Sequence, residues 1–575
     1  MKPVHIVILF CIIIFAAFLR FYGINWDQGF HLHPDERAIV MYTLPLQTPS
    51  TLNNFFSTQS TLNPHFFAYG SFPLYLLRFV SNLGSTVNAS IATYDRINIL
   101  GRGISALFDL GTILLIFFLG KRLFSVSIGL LAAFFYSISV LPIQTSHFYA
   151  VDIPLTFLMT SAVFLLILFY DKPNQVKSIL IGLILGLALA TKNSAIALLS
   201  SITIALIADF LLIFLRYPHH PSKWKHHVPI VFKRLIFDGL TILIVGMIVF
   251  FITEPYSLID LTTFISQTNE QSQMTHNAYI FPYTLQYVGK IPYLYELRNI
   301  FLWGQGPFIS LFSFIGIGHI AYVIYKKNKQ NKWAQETIIL AFVASYFLVV
   351  GHFAVGFMRY MLPIYPFLSL FGALLSYRLF KILKQKIGNW SLLVVLVFIG
   401  CILIWPLSFM HIYTRPNTRV LATDWILKNV PVGSAIAIEH WDDGLPLLGQ
   451  QNYHMLTLPL YDPDSPEKWS GVNKILSETD YIIIASNRLY VPLQKMTDCV
   501  HLPPFRCYTQ TAQYYKKLFS GKLGFNKVAE FSIYPTMTLG SWSFVIDDQS
   551  ADESFTVYDH PIVMVFKKSL EIKAE

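Results

Sequence analysis

Charge is scarce in this chain: of 575 residues only 13% are Asp, Glu, Lys or Arg, about half the share carried by an ordinary soluble domain. That shortage excludes a water-covered globule of the usual kind. Cysteine is scarce as well, with four in all, and they form no CxxC pair. An HExxH motif is missing too, which removes the strong signatures of a zinc ribbon or a zinc protease. No sustained internal repeat or low-complexity tract is present, so repeat architectures are set aside.

What is there is apolar. Hydrophobic residues make up 54% of the chain, with 49 Phe. Apolar runs long enough to cross ~30 Å of hydrocarbon fall near 4–22, 97–119, 126–145, 153–170, 177–191, 194–215, 235–253, 301–325, 336–356, 359–377 and 391–412. They predict a polytopic α-helical membrane protein of about eleven spans. The first run lacks a small-residue cleavage site and continues into Arg20 and Phe21, so it is read as a retained anchor. The weakest assignment is the turn near Lys192 between the fifth and sixth runs.

The formal net charge is +10, yet from Thr414 onward 15 Lys and Arg face 18 Asp and Glu. The surplus therefore lies in short loops between apolar runs, a positive-inside pattern and not a nucleic-acid footprint. Lys121 and Arg122, Lys172 and Lys177, Arg216 to Arg234, Lys326 to Lys332, and Arg378 to Lys386 share one face if the N-terminus is cytoplasmic. The domain reading is a transmembrane module over 1–412, with external loops at 23–96 and 253–299, followed by an extracytoplasmic domain over 413–575.

That tail predicts a soluble α/β fold. "TRVLATDWILKNVP" has helical character, while "SAIAIEH", "HMLTLPLY", "DYIIIAS", "KVAEFSIY" and "PIVMVFKK" read as strands bounded by turn residues. Cys499 and Cys507 lie close together in it, so a local disulfide is as plausible as two free thiols; Cys11 and Cys401 read as apolar filler. In the first loop, "FPLYLLRFVSNL" places Leu76, Leu77, Phe79, Val80 and Leu83 near one side of a helix, either in the membrane interface or packed on the bundle.

On this topology ionisable residues gather at one membrane face: Asp35 and Glu36 after the first span, Arg96 and Arg102 at the second, Asp152 at the fourth, then Lys192, Glu254 and Arg359. Charges at the edge of an apolar bundle are costly unless paired, solvated or used, which makes this set a candidate site. Each also has an ordinary explanation. Arg96 can snorkel, Asp152 can cap its helix, Glu254 before Pro255 can end one, and the Asp35-Glu36 pair can be a solvated turn. His31 and His33 beside that pair are loop histidines or, less favoured, metal ligands.

The segments "HLHPDER", "LNPHFFAYGSFPLYLL", "RINILGRGISALFDL", "FYAVDIPLTF", "GLALATKNSA", "FFITEPY" and "FMRYMLPIYPFL" resemble, in this order, bacterial polyprenyl-phosphate-dependent glycosyltransferases. These form part of the GT-C superfamily, in glycosyltransferase family 39, which includes protein O-mannosyltransferases and the aminoarabinose transferase of lipid A modification. The resemblance implies a GT-C-like fold, a plasma-membrane location, and transfer of a hexose or pentose from a polyprenyl phosphate to a hydroxyl or amine of a protein, lipid or envelope glycan. It implies Asp35 as catalytic base with Glu36 as its support, and Arg102, Lys192 and Arg359 on the donor phosphate. Asp152, Glu254, His65 and Tyr69 would lie near the acceptor. Metal dependence stays open; if a divalent ion takes part, Asp35 and Asp152 are its candidate ligands. A secondary transporter using membrane carboxylates as a proton relay is the alternative, though inverted repeats and midplane charges are not evident.

Overall fold

The structure, a computed structural model, describes residues 2–216, 221–328 and 334–569; the basic stretches Arg216 to Arg234 and Lys326 to Lys332 lie partly outside these. The chain folds into two compact units. One comprises Met1–Ile24, Pro34–Ser272 and Ile291–Pro406, the other Asn25–His33, Gln273–Lys290 and Leu407–Glu575.

The first unit is helical, and all eleven apolar runs form helices within it or at its end. Among the described residues seven helices are long and apolar enough to cross a membrane singly: Pro3–Phe21, Tyr94–Leu123, Asp152–Asp171, Val228–Thr253, Pro307–Lys326, Met358–Ile387 and the stretch beginning at Trp390. Val126–Ser137 and Val140–Ser146 form an eighth that bends by 59°, while Gln175–Leu189, Asn193–Ala208 and Ala334–Val350 are shorter. Length alone thus supports seven or eight spans rather than eleven. The turn expected near Lys192 is present, between Gln175–Leu189 and the 3-10 turn Asn193–Ala197.

Without a hydrophobic drive between helices in lipid, close approach decides packing. Gly182 and Gly186 lie one turn apart against the Pro221–Thr253 helix, where a Cβ would stand 2.7 Å from the Ile242 carbonyl oxygen and 2.5 Å from that of Gly246. Polar pairing supplies a second tie. Arg20 Nε donates to Asp109 at 2.6 Å and Tyr136 donates to the other oxygen at 2.5 Å, all without exposure to solvent. This trio fixes the first helix to the second and third.

The segment "FPLYLLRFVSNL" lies in the helix Phe72–Ser85, but the expected stripe splits. Leu74 and Leu77 are buried, whereas Phe79 and Leu83 face outward.

The second unit is an α/β domain. Its five-stranded sheet has the order β2-β1-β3-β7-β4, with β1 (Ala435–Glu439) parallel to β2 (His454–Leu458) and β3 (Tyr481–Ile484). Strand β7 (Val563–Lys568) runs antiparallel to β3 and to β4 (Phe525–Phe531). Strand alternation sends Tyr481, Ile483, Val563 and Val565 to one face, under Ala422 and Ile426 of the helix Thr418–Asn429. Ile482, Ile484, Met564 and Phe566 go to the other, against Val472 and Leu476 of Pro466–Glu478 and Tyr515 and Leu518 of Thr509–Phe519. All five expected strands and the helix are present; a hairpin of β5 (Thr536–Leu539) and β6 (Trp542–Val545) was not expected. Cys499 and Cys507 are joined as a disulfide.

This unit is larger than the tail alone. Gln286 Nε2 donates to Glu553 at 3.0 Å, Tyr461 donates to the Ile280 carbonyl at 2.8 Å, and Arg506 donates to the Tyr279 carbonyl at 2.8 Å, so the loop 273–290 is hydrogen-bonded into it. His31 and His33 also belong here and are buried, with the His33 ring 4.1 Å from that of Tyr558. Among the described residues no group of three or more His, Cys, Asp or Glu could hold a metal.

His560 is buried between two carboxylates, 2.5 Å from Asp559 and 2.8 Å from Asp548. Burial disfavours its charge, but Asp559 and then Asp548 outweigh that and raise its pKa to about 10. The unfolded value is about 6.5, so this stabilisation is full below that pH and is lost as pH rises through the folded value. Hydrogen exchange of peptides covering β7 should accelerate more steeply between neutral pH and about pH 10 in the wild type than in His560→Gln, after correction for intrinsic exchange. Identical profiles would mean that His560 is not charged in the fold.

Candidate active site

Asp35 and Glu36 occupy the first turn of the helix Pro34–Thr43, where Pro presets the backbone and the amide end favours negative charge. Consecutive helical residues point about 100° apart, so the adjacent carboxylates diverge. Glu36 turns inward and is fully buried. Arg102 grips it with two bonds, Nε at 2.9 Å and Nη2 at 2.6 Å, and the amide of Tyr149 adds a third at 2.8 Å. Arg102 also donates to the Ile24 carbonyl at 2.9 Å. Gly101 allows this approach, since a Cβ there would stand 2.6 Å from the Tyr149 ring. Arg102 therefore does not face a donor phosphate as expected: its fork is committed to Glu36 and it has no exposure.

Asp35 turns the other way, to Arg359 Nη2 at 2.7 Å. Arg359 lies in the 3-10 turn Met358–Ile364, stacked 4.4 Å over Phe357, and its Nε is 3.5 Å from Asp152. Asp152, the first residue of its helix, does not cap it. Its other oxygen accepts from Lys192 Nζ at 2.7 Å, and that ammonium lies 4.3 Å over the Tyr360 ring. The result is a continuous chain, Asp35, Arg359, Asp152, Lys192, drawn from four separate segments. Side-chain exposure is 17% for Asp35, 10% for Arg359, 3% for Asp152 and 19% for Lys192, so the chain is sheltered but reachable.

Lys192 is held by its backbone. Gly70 and Phe72 donate to the carbonyls of Thr191 and Ala190, each at 3.1 Å. Only a glycine fits at 70, where a Cβ would overlap the Ala190 carbonyl oxygen at 1.9 Å. Tyr69, adjacent to this strap, sits within the electrostatic reach of the chain: burial and then Asp35 push its phenol pKa well up, with Arg359 pulling the other way. A cleft lined by Glu296, Asn299, Phe357, Met358, Met361 and Tyr365 shares with Arg359 the ring on which it stacks.

Two expected members lie elsewhere. His65 is exposed and its Nδ1 is 3.6 Å from Asp260. Glu254 is buried, makes no ion pair among the described residues, and burial pushes its carboxyl up to about 8, which the amide of Ser71 offsets only in part. Arg96 is exposed. Phe357, Tyr360, Tyr149 and Gly70 were not singled out from the sequence, although "FMRYM" contains the two aromatics that flank Arg359.

Asp35 and Asp152 face cations of this chain, not a shared open coordination site. Among the described residues no group of three or more His, Cys, Asp or Glu gathers beside them.

A family model described as dolichyl-phosphate-mannose-protein mannosyltransferase matches residues 99–232. No curated protein sequence matches the chain. Among solved structures it is similar to the archaeal oligosaccharyltransferase AglB of Archaeoglobus fulgidus, in complex with an inhibitory peptide and a dolichol-phosphate, at 14% identity and a TM-score of 0.51 over 99% of this chain and 88% of that one. The same enzyme tethered to an acceptor peptide gives 12% identity and a TM-score of 0.53 over 99% and 89%. ArnT of Cupriavidus metallidurans bound to undecaprenyl phosphate is similar at 10% identity, a TM-score of 0.47, and 84% and 93% coverage. The chain is a multi-pass membrane protein with the fold of the GT-C glycosyltransferases and resembles their polyprenyl-phosphate-dependent members.

Proposed function

We propose that this protein is an inverting glycosyltransferase that moves a sugar from a polyprenyl-phosphate donor to a hydroxyl or amine acceptor at the extracytoplasmic face of a plasma membrane. The observation that carries the reading is the sheltered chain Asp35, Arg359, Asp152, Lys192, in which two cations and two carboxylates meet at the ends of apolar helices. Basic loops on the opposite side support the orientation, with the N-terminus cytoplasmic. The similarity to proteins described with dolichol-phosphate and mannosyl transfer supports the donor class.

In this reading the acceptor attacks the anomeric carbon on the face opposite the phosphate. The bond from that carbon to the phosphate oxygen breaks, and its electron pair stays on the phosphate. Arg359 and Lys192 meet the charge that develops there. The acceptor proton passes to Asp35, within a single displacement that inverts configuration. Donor binding and base activation are coupled, because a phosphate oxygen competes with Asp35 for the Arg359 guanidinium and so frees the carboxylate. Asp152 keeps Lys192 and Arg359 together, and Tyr69, kept protonated, offers a hydroxyl to the substrate. Glu36 is a positioning group.

Replacing the base should abolish chemistry without unfolding the protein. Asp35→Asn is expected to lower transfer of labelled sugar from a polyprenyl-phosphate donor by about 10²–10⁴-fold, measured in purified membranes; full activity would remove Asp35 as base. Arg359→Ala should raise donor KM while acceptor KM changes little. Unchanged donor kinetics would make Arg359 a purely structural residue.

The support role of Glu36 calls for a split readout. Arg102→Gln leaves a buried carboxylate unpaired and should cost about 3–5 kcal/mol in the melting of detergent-solubilised protein. Arg102→Lys keeps the charge but loses the fork, and should lower kcat with donor KM nearly unchanged. A lower melting temperature with unaltered kcat would confine Arg102 to stability.

A further inference from the structure

The β5–β6 hairpin stands outside both core faces of the sheet. Its register pairs Met537 with Phe544 and Leu539 with Trp542, and pairs Thr536 with Val545 and Thr538 with Ser543. Paired residues share a face and alternate residues leave it. One face is therefore Met537, Leu539, Trp542 and Phe544, and the other is Thr536, Thr538, Ser543 and Val545. The apolar face is uncovered: Leu539 is 64% exposed, Phe544 58% and Trp542 83%. No charged residue occurs between Glu530 and Asp547. A two-stranded ribbon is marginal in water by itself, and an uncovered apolar face of this kind marks a contact surface.

The root of the hairpin says what that contact is. Ile546 donates to the Pro535 carbonyl at 2.9 Å and closes the base. One residue earlier, the Tyr534 carbonyl accepts from His411 Nδ1 at 3.2 Å. His411 opens the turn His411–Thr414 directly after the apolar helix Trp390–Met410. The hairpin is thus rooted at the residue where the last membrane-capable helix ends, which is headgroup level if that helix spans.

We propose that the apolar face of this hairpin lies in the interfacial layer of the bilayer, as a lipid-contacting wedge. The residue types fit that depth. Trp is favoured at the membrane–water boundary, where its ring is apolar and its N–H finds a polar partner. Amphipathicity fits it as well, with three hydroxyl side chains, beside the exposed Val545, on the side away from the acyl chains. The backbone sets the limit of insertion: the outer edges of β5 and β6 carry N–H and C=O groups that need water or headgroups, so the ribbon remains interfacial and does not enter the hydrocarbon. This assignment does not depend on the glycosyl-transfer reading.

The test uses the full-length protein in phosphatidylcholine nanodiscs, with plain lipid or with lipid brominated on the upper part of the acyl chain. Trp542→Phe preserves the hairpin, and the emission difference between wild type and variant isolates Trp542 from the other tryptophans. The expected difference spectrum is blue-shifted, loses most of its intensity in brominated lipid, and responds weakly to acrylamide in the aqueous phase. Strong acrylamide quenching without lipid quenching would place the face in water. Insensitivity to both would mean that protein covers it. Either result overturns the proposal.

Discussion

Glu36 and Arg102 meet completely out of water, and the geometry of the candidate active site depends on that meeting. The carboxylate receives two bonds from the Tyr94–Leu123 helix and one from the amide of Tyr149. Its own helix carries Asp35 as the preceding residue, while Tyr149 precedes Asp152 by three. One buried group thereby sets the positions of two others. Removing two charges from water costs several kcal/mol per ion, and a bidentate fork with a third donor is the kind of geometry that offsets it. Uncompensated, the same carboxylate would force the first turn of Pro34–Thr43 outward, and Asp35 with it.

The second constraint is the sharing of Arg359. Its guanidinium stands between Asp35 and Asp152, while Lys192 holds the far oxygen of Asp152. Two cations and two carboxylates alternate along this chain. In the proposed reaction an arriving phosphate redistributes those contacts, and the most exposed carboxylate is the one it displaces first. Asp35 is more exposed than Asp152. The asymmetry follows from where each sits, Asp152 at the buried start of its helix and Asp35 at the edge of a short helix in a loop.

Much of this was legible in the sequence. Apolar runs of span length, a change of texture near residue 413, and five stretches of strand-like alternation foretold a helical membrane module and an α/β tail. The expected set of ionisable residues includes Asp35, Asp152, Lys192 and Arg359, the four that meet in one chain of contacts. What the sequence hides are the choices made in three dimensions. Asp35 and Glu36 are alike as letters and differ by 100° of helix rotation. Arg102 and Arg359 both lie near ends of apolar runs, yet one is closed on a neighbour and the other is stacked on Phe357 beside a cleft. The segment 273–290, read from sequence only as part of the external loop 253–299, is hydrogen-bonded into the second unit. The β5–β6 pairing is missed because a run such as "TMTLGSWSFV" is uncharged, short and turned by Gly540-Ser541, which looks like a loop until its register is known.

The buried charges of the membrane unit fall into two physical classes, and composition does not separate them. Arg20 with Asp109 and Tyr136, and Arg102 with Glu36, are fully enclosed. A ligand that reached them would first have to part packed helices, so their bonds serve to fix one segment against another. Asp35, Arg359, Asp152 and Lys192 use the same side-chain types and comparable distances, but three of the four retain some exposure. A contact that solvent touches can exchange its partner at modest cost, and exchange of partners is what a site for a charged substrate requires. On the proposed function, what distinguishes the site is which ion pairs are left unsealed. The sealed pairs make that tolerable, since they hold the helices against which the unsealed ones are aligned.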